Sequence, residues 1–149
     1  IGERPIPHEA DLVRVDAQLS ADRVAPDEAF EIAVRLKIAS GWHVNANPAS
    51  EAFLVPTTVE VVSDLAVDVG PVTYPEGEHL DLAFAGTTVA VYTGETTLRI
   101  PITLGASAKP GAVGFLKIKL GYQACDHQRC LLPRTLELTR QIEVVEGGP

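Results

Sequence analysis

Alternation of apolar and polar residues is the feature that most restricts how this chain of 149 residues can fold. Five runs place apolar side chains at every second position, which is typical of strands with one face on a core. These runs cover residues 13–19, 30–38, 98–104, 116–122 and 136–144. No stretch sustains a 3.6-residue apolar repeat, so the sequence predicts an all-β protein.

Shorter alternating runs lie between the long ones, and turn residues separate them. The shorter candidates are residues 42–45, 57–62, 66–74 and 88–92. Pro, Gly, Asn and Asp clusters mark the connections between runs. About eight or nine strands with frequent turns predict an antiparallel β-sandwich, with a closed barrel as the alternative.

The length fits one domain, which we place at residues 1–146, with 147–149 as the start of a linker or tail. The 12 Lys and Arg residues against 20 Asp and Glu give a net charge of -8, which excludes a nucleic-acid partner or an anionic membrane surface. No apolar run approaches the ~18 residues of a membrane span, so we expect no direct membrane insertion. The chain begins at Ile1 without a leader, as expected of a processed protein or of a piece of a longer one.

The chain has two cysteines, Cys125 and Cys130, with four residues between them. Alternating runs precede and follow the pair, so we expect a tight connection between two strands that brings both sulfurs within bonding range. In the chain-entropy model, a disulfide that closes so short a loop stabilises a protein by only about 2 kcal/mol. This favours a chemical role, although the spacing alone leaves a structural hairpin disulfide open.

Charged and ionisable neighbours surround the cysteines. His127 and Arg129 can lower a thiol pKa, and Asp126 would oppose them. One alternative is a metal site in which His127 or His43 joins the two thiolates. Structural zinc usually takes four ligands and the chain has no second cysteine pair, so we expect neither a metal nor another cofactor. The open interpretations are a redox-active pair and a structural disulfide in a non-catalytic binding module.

Three segments, in order, carry a family resemblance. They are Gly41-Trp42-His43-Val44-Asn45-Ala46-Asn47-Pro48 followed by Phe53-Leu54-Val55-Pro56-Thr57, then Tyr74-Pro75-Glu76-Gly77 through Phe84-Ala85-Gly86 to Tyr92, and Tyr122-Gln123-Ala124-Cys125 through Cys130 to Pro133. With them the chain resembles the N-terminal periplasmic domain of the bacterial thiol:disulfide interchange protein DsbD. The resemblance implies an immunoglobulin-like β-sandwich in an extracytoplasmic compartment, tethered to the inner membrane through further C-terminal segments.

The resemblance also implies a protein-disulfide reductase activity. Cys130 matches the cysteine that forms mixed disulfides with partners, and Cys125 matches the cysteine that resolves them. The segment Phe84-Ala85-Gly86 matches a cap loop that covers the pair. The implied electron source is a thioredoxin-like domain of the same or a partner membrane reductase. The implied acceptors are a periplasmic disulfide isomerase and a thioredoxin-like protein of cytochrome c maturation.

Two departures from the family pattern accompany this resemblance. The best-known member has a longer spacing between its cysteines than the four residues found here. It also carries tyrosines where this chain has His43 and Asn45. His43 is a candidate for tuning the thiol pKa, and the alternative that the sequence favours is a hydrogen-bonded histidine on an edge strand.

Overall fold

Alternating strands build nearly all of the computed structural model, which describes residues 9–82 and 87–147. The described elements are one helical turn and twelve strands. In chain order they are α1 (Glu9–Leu12), β1 (Val13–Leu19), β2 (Arg23–Val24), β3 (Ala29–Ile38), β4 (His43–Asn45), β5 (Thr58–Ser63), β6 (Val67–Val69), β7 (Glu78–Leu82), β8 (Thr87–Tyr92), β9 (Glu95–Leu104), β10 (Val113–Tyr122), β11 (Ala124–Cys125) and β12 (Arg134–Val144).

The strands form three sheets of four. The first sheet has the order β1-β3-β9-β6, the second β2-β12-β10-β5 and the third β11-β4-β8-β7. Neighbouring strands run antiparallel, except that β2 and β12 are parallel. The predicted all-β antiparallel sandwich is thus confirmed, and the open sheets differ from the closed barrel that the sequence left as an alternative.

The main core lies between the first two sheets. On β3 every second side chain is buried, and β9 and β10 repeat the pattern. The fully buried members include Ile32, Val34, Leu36, Leu98, Ile100, Ile102, Leu104, Leu116 and Ile118. Because burial of one such side chain contributes roughly 1.5–3 kcal/mol, this core fixes the register of the long strands.

The small third sheet lies at the end of β10 and has two different faces. Val44 pairs with both Ala124 and Tyr92, and these three residues belong to the main core. Since successive side chains of a strand point to opposite faces, Cys125 and His43 project from the other face. That outer face also carries a separate apolar cluster, whose buried members are Leu54, Val89 and Val91.

The strand count exceeds the expected eight or nine because four of the strands have only two or three residues. The other eight have five or more residues and include every long alternating run. Among the residues described, no helix is long and apolar enough to cross a membrane.

Candidate functional site

The two cysteines close a tight turn where the chain leaves β11 of the third sheet and returns to β12 of the second. Cys125 ends β11, and a β-bridge and a disulfide join it to Cys130. Two backbone hydrogen bonds frame the turn. The Leu131 N–H donates to the Ala124 carbonyl at 2.8 Å, and the Asp126 N–H donates to the Arg129 carbonyl at 2.9 Å. The turn therefore holds both sulfurs at the end of a sheet.

Solvent exposure distinguishes the two cysteines. Cys125, which pairs with His43 of β4, is completely buried, with 0% of its surface exposed. Cys130 is half-buried. Leu132, two residues further on, is 84% exposed. A macromolecule that approaches this end of the domain would meet Cys130 and Leu132 before it met Cys125.

Asp126 organises the turn between the cysteines. Its Oδ1 accepts hydrogen bonds from the N–H groups of Gln128 and Arg129, both at 2.8 Å. Partial burial acts to raise the pKa of Asp126. The two backbone N–H groups, with the charges of Arg129 and His127, outweigh it and hold that pKa below its usual range. The carboxylate therefore caps the turn in its charged form at neutral pH.

Arg129 is held between a carboxylate and an aromatic ring. Its Nε lies 3.5 Å from Asp126 Oδ2, and its guanidinium carbon lies 6.0 Å from the centre of the Trp42 ring. Because the two opposite charges lie side by side, each offsets part of the other's field. The predicted opposing effects of Arg129 and Asp126 on the thiols thus originate from a single ion pair.

His43 lies directly opposite Cys125 in the antiparallel register of β4 and β11. Its side chain is 2% exposed, and its Nε2 makes no hydrogen bond to any part of the chain that the structure describes. Burial lowers the pKa of His43, the positive charge of His127 lowers it further, and Asp126 partly offsets both effects. His43 and His127 line one cavity of about 450 Å³ together with Trp42 and Leu80.

A buried amide network supports the same face of the third sheet. Asn45 Nδ2 donates to the Val55 carbonyl at 2.9 Å and to Gln123 Oε1 at 3.5 Å. Gln123 Nε2 in turn donates to the Leu131 carbonyl at 3.2 Å. Thr57 Oγ1 donates to the Asn45 carbonyl at 2.7 Å. These bonds connect the segment before β5 to the segment that follows Cys130.

A match to a family model identifies the family of this chain. The family model described as "Thiol:disulfide interchange protein DsbD, N-terminal" matches residues 9–141. The chain belongs to this family. Membership in the DsbD N-terminal family, together with the bonded cysteine pair, makes this chain a thiol–disulfide exchange domain. A search of the curated proteins finds no match.

Two solved structures resemble this member of the DsbD N-terminal family. The N-terminal periplasmic domain of ScsB from Proteus mirabilis shares 16% identity at a TM-score of 0.57, over 94% of this chain and 49% of that one. The reduced N-terminal domain of Neisseria meningitidis DsbD shares 19% identity at a TM-score of 0.53, over 90% of this chain and 88% of that one. The chain thus spans about half of the ScsB structure. The likeness confirms the predicted immunoglobulin-like fold.

The structure brings most of the predicted site residues together. Cys125, Cys130, Asp126, Arg129 and His127 share one turn, and His43 lies beside it. The predicted cap residues Phe84, Ala85 and Gly86 lie outside the described residues. Within residues 9–82 and 87–147, no three His, Cys, Asp or Glu side chains form a group able to hold a metal ion.

Two features of the site are not predicted by the sequence. They are the amide network that joins Gln123 to Asn45 and the exposed position of Leu132 beside the cysteine turn. Period-two spacing could have placed Gln123 on the same face as Cys125, because the two residues are two apart in one extended segment. The pairing of Asn45 with that face depends on long-range register, for which a single sequence carries no local pattern.

Proposed function

We propose that this domain relays reducing equivalents through Cys125 and Cys130 to periplasmic partner proteins of the thioredoxin fold. The observation that carries the proposal is the unequal exposure of the two bonded cysteines in a member of the DsbD N-terminal family. An exposed sulfur can meet a partner, and a buried one can resolve the product without being attacked itself. Cys130 takes the first role and Cys125 the second.

The exchange proceeds in two displacement steps. In the reduced domain, the Cys130 thiolate attacks one sulfur of the partner disulfide, and the other partner sulfur leaves as a thiolate. Cys125 then loses its proton and attacks Cys130 Sγ, which forms the intramolecular disulfide and releases the second partner sulfur. Two electrons pass to the partner, and the protons of the two cysteines end on its two thiols.

The wider pathway follows from the family resemblance. A thioredoxin-like domain of the same or a partner membrane reductase would re-reduce the disulfide. A disulfide isomerase or a thioredoxin-like protein of cytochrome c maturation would accept the electrons. The segment Phe84-Ala85-Gly86 would cover the pair between encounters, and C-terminal segments would tether the domain to the inner membrane.

Redox equilibrium with glutathione tests the proposed function. The oxidised domain is incubated with graded ratios of reduced to oxidised glutathione, and free thiols are counted by mass after alkylation. We expect the disulfide to be reduced within the range that glutathione or a thioredoxin-fold partner reaches. A disulfide that resists both reagents would contradict the relay. It would favour the alternative, an immunoglobulin-like binding module with a structural hairpin disulfide.

Leu132→Ser is expected to slow exchange with a thioredoxin-fold partner about tenfold and to leave exchange with glutathione unchanged. The exposed Leu132 lies two residues from Cys130, and burying an apolar side chain against a protein contributes roughly 1.5–3 kcal/mol. A factor of ten corresponds to about 1.4 kcal/mol. The measurement is kcat/KM with each disulfide substrate.

Val113→Ser is the matched control for this prediction. Val113 is 50% exposed and begins β10, whereas the cysteine turn follows the other end of that strand, roughly 30 Å away. Val113→Ser should change neither the rate of exchange with the thioredoxin-fold partner nor the rate with glutathione. An equal loss for both substrates in Leu132→Ser would show that the side chain supports the turn and does not contact the partner.

Asp126→Ala is expected to make the disulfide easier to reduce by about 30 mV, a tenfold change in equilibrium constant. The carboxylate preorganises the turn, so its loss gives the reduced form more freedom and lowers the effective concentration of one thiol beside the other. The pKa of Asp126 is lowered in the folded domain. The stabilisation of the turn by its carboxylate is therefore fully present at pH values above the ordinary carboxyl pKa, and it is lost as the pH falls through the lowered pKa.

The pH dependence supplies the check on this prediction. Reduction potentials of the wild type and Asp126→Ala should differ at pH 7 and converge in acid. Asp81→Ala is the control, because Asp81 is an exposed carboxylate on β7 with no contact in the cysteine turn. A difference that persists at low pH would assign the effect to packing and not to the charged cap.

A further inference from the structure

A buried histidine faces the buried cysteine across two strands of the third sheet. His43 and Cys125 are directly paired in antiparallel register, so their side chains project from the same face with Cβ atoms roughly 4.5–5.5 Å apart. Both side chains are almost completely enclosed. We propose that His43 accepts the proton of the Cys125 thiol when the domain closes its disulfide. This inference rests on the proposed function, in which Cys125 resolves the mixed disulfide.

The need for a proton acceptor comes from the burial of Cys125. A thiol must lose its proton before it can attack a disulfide, because the thiolate is the nucleophile. In the disulfide-bonded structure Cys125 is 0% exposed, so bulk water does not reach its sulfur in this arrangement. Burial also disfavours a charged sulfur. Resolution at neutral pH therefore requires a neighbouring group that can take the proton as the new bond forms.

The other ionisable groups around His43 are poorly suited to that task. The Asp126 Oδ1 already accepts two backbone N–H bonds, and its carboxylate is paired with Arg129. Arg129 has no acceptor atom. Glu78 accepts a hydrogen bond at 3.0 Å from the hydroxyl of Thr93, a residue that lines the cavity. His127 is exposed and lies on the turn.

His43 has the state and the free atom that a base requires. Burial and the charge of His127 lower the pKa of His43, so the ring is neutral at pH 7. Its Nε2 finds no hydrogen-bond partner among the residues described. The ring also lines the cavity that it shares with His127, which gives an accepted proton a route outward.

The step balances without any further reagent. The S–H bond of Cys125 breaks as an N–H bond forms at His43, and the sulfur keeps the electron pair. That sulfur attacks Cys130 Sγ, the bond between Cys130 and the partner breaks, and the partner thiolate leaves with the electron pair. The His43 imidazolium then gives up its proton through the cavity, which protonates the released thiolate and restores the neutral ring.

Rapid mixing with oxidised glutathione separates this step from the first. The reduced domain is mixed with oxidised glutathione, quenched in acid at successive times, and the Cys130–glutathione intermediate is measured by mass between pH 5 and 10. In His43→Gln the resolving rate at pH 7 should fall about a hundredfold, a usual contribution of general base catalysis. The deficit should shrink at high pH, where a thiol ionises without help. Formation of the intermediate should be unchanged.

The control variant is His79→Gln, since His79 is an exposed histidine on β7. It should behave as the wild type at every pH. A deficit in His43→Gln that is the same at every pH would assign His43 a structural role, and the absence of a deficit would equally overturn the inference. Failure of the proposed function is a different result, in which the wild-type domain itself exchanges with neither glutathione nor a partner.

The wild type provides a test that does not depend on a variant folding. His43 is titrated by nuclear magnetic resonance, and its pKa is compared with the pH profile of the resolving rate. Because burial lowers that pKa, the inflection should lie below the ordinary histidine value of about 6.5, and the rate should fall as the pH drops through it. A profile with no inflection at the measured His43 pKa would contradict the proposal.

Discussion

Cys125→Ala is expected to accumulate a stable mixed disulfide between Cys130 and a thioredoxin-fold partner, whereas Cys130→Ala is expected to lose exchange altogether. This expectation follows from the proposed roles, in which the half-buried Cys130 meets the partner and the completely buried Cys125 does not. Without Cys125 nothing inside the domain can resolve the intermediate. Without Cys130 the remaining thiol is enclosed. Non-reducing electrophoresis of the reduced variants mixed with an oxidised partner, followed by mass spectrometry, measures both results.

The variant without either cysteine is the control for this experiment and should form no adduct. A mixed disulfide in Cys130→Ala, with none in Cys125→Ala, would reverse the two roles. That result would require the turn to open far enough to expose Cys125. Alkylation of Cys130→Ala by a small reagent, compared with alkylation by a bulky one, would report such an opening, because burial should slow both.

The long strands were predictable because their pattern is local. The run at 13–19 coincides with β1 (Val13–Leu19), and the runs on β3, β9 and β10 differ from the structure mainly at their first residues. Each of these strands has one face on the core, so apolar residues at every second position mark the buried face. The same reasoning located a tight cysteine turn between two alternating segments.

The short strands and the contacts of the site were not predictable in the same way. The expected strand at 66–74 shrinks to β6 (Val67–Val69), because Gly70 and Pro71 follow it and proline cannot donate to a ladder. The two residues of β11 are too few to show alternation. Their pairing with β4 brings His43 opposite Cys125, a contact between segments that lie far apart in sequence.

His43 is a departure from the family pattern, and its pairing with Cys125 places that departure at the cysteine site. The sequence favours a hydrogen-bonded histidine on an edge strand, but β4 is an inner strand, and the His43 Nε2 has no hydrogen-bond partner among the described residues. The third sheet holds β4 between β11 and β8, and the His43 side chain is buried. The site therefore combines a family cysteine pair with a buried imidazole that the family resemblance does not supply.

Trp42→Ala is expected to cost about 3–5 kcal/mol of unfolding free energy, the usual range for truncating a large buried aromatic side chain. Trp42 is 9% exposed, belongs to the main core and packs beneath the cysteine turn, where the Arg129 guanidinium lies over its ring. Removal of the ring would leave both the cavity beside His43 and the underside of the turn unsupported. Urea unfolding of the oxidised domain measures the change. Unfolding is followed by circular dichroism, because the chain has one tryptophan and this variant removes it, so tryptophan fluorescence cannot be used.

Arg129→Ala measures the contribution of the contact between the turn and Trp42 separately from the contribution of the buried ring. A cation–π contact at a partly exposed site contributes about 0.5–1 kcal/mol, so this control should lose far less stability than Trp42→Ala. The slope of free energy against urea should stay the same in both variants, because neither changes the surface that unfolding exposes by much. If Trp42→Ala lowers the unfolding free energy by less than about 1 kcal/mol, the ring is not part of the core, because a cavity of that size destabilises a core by more.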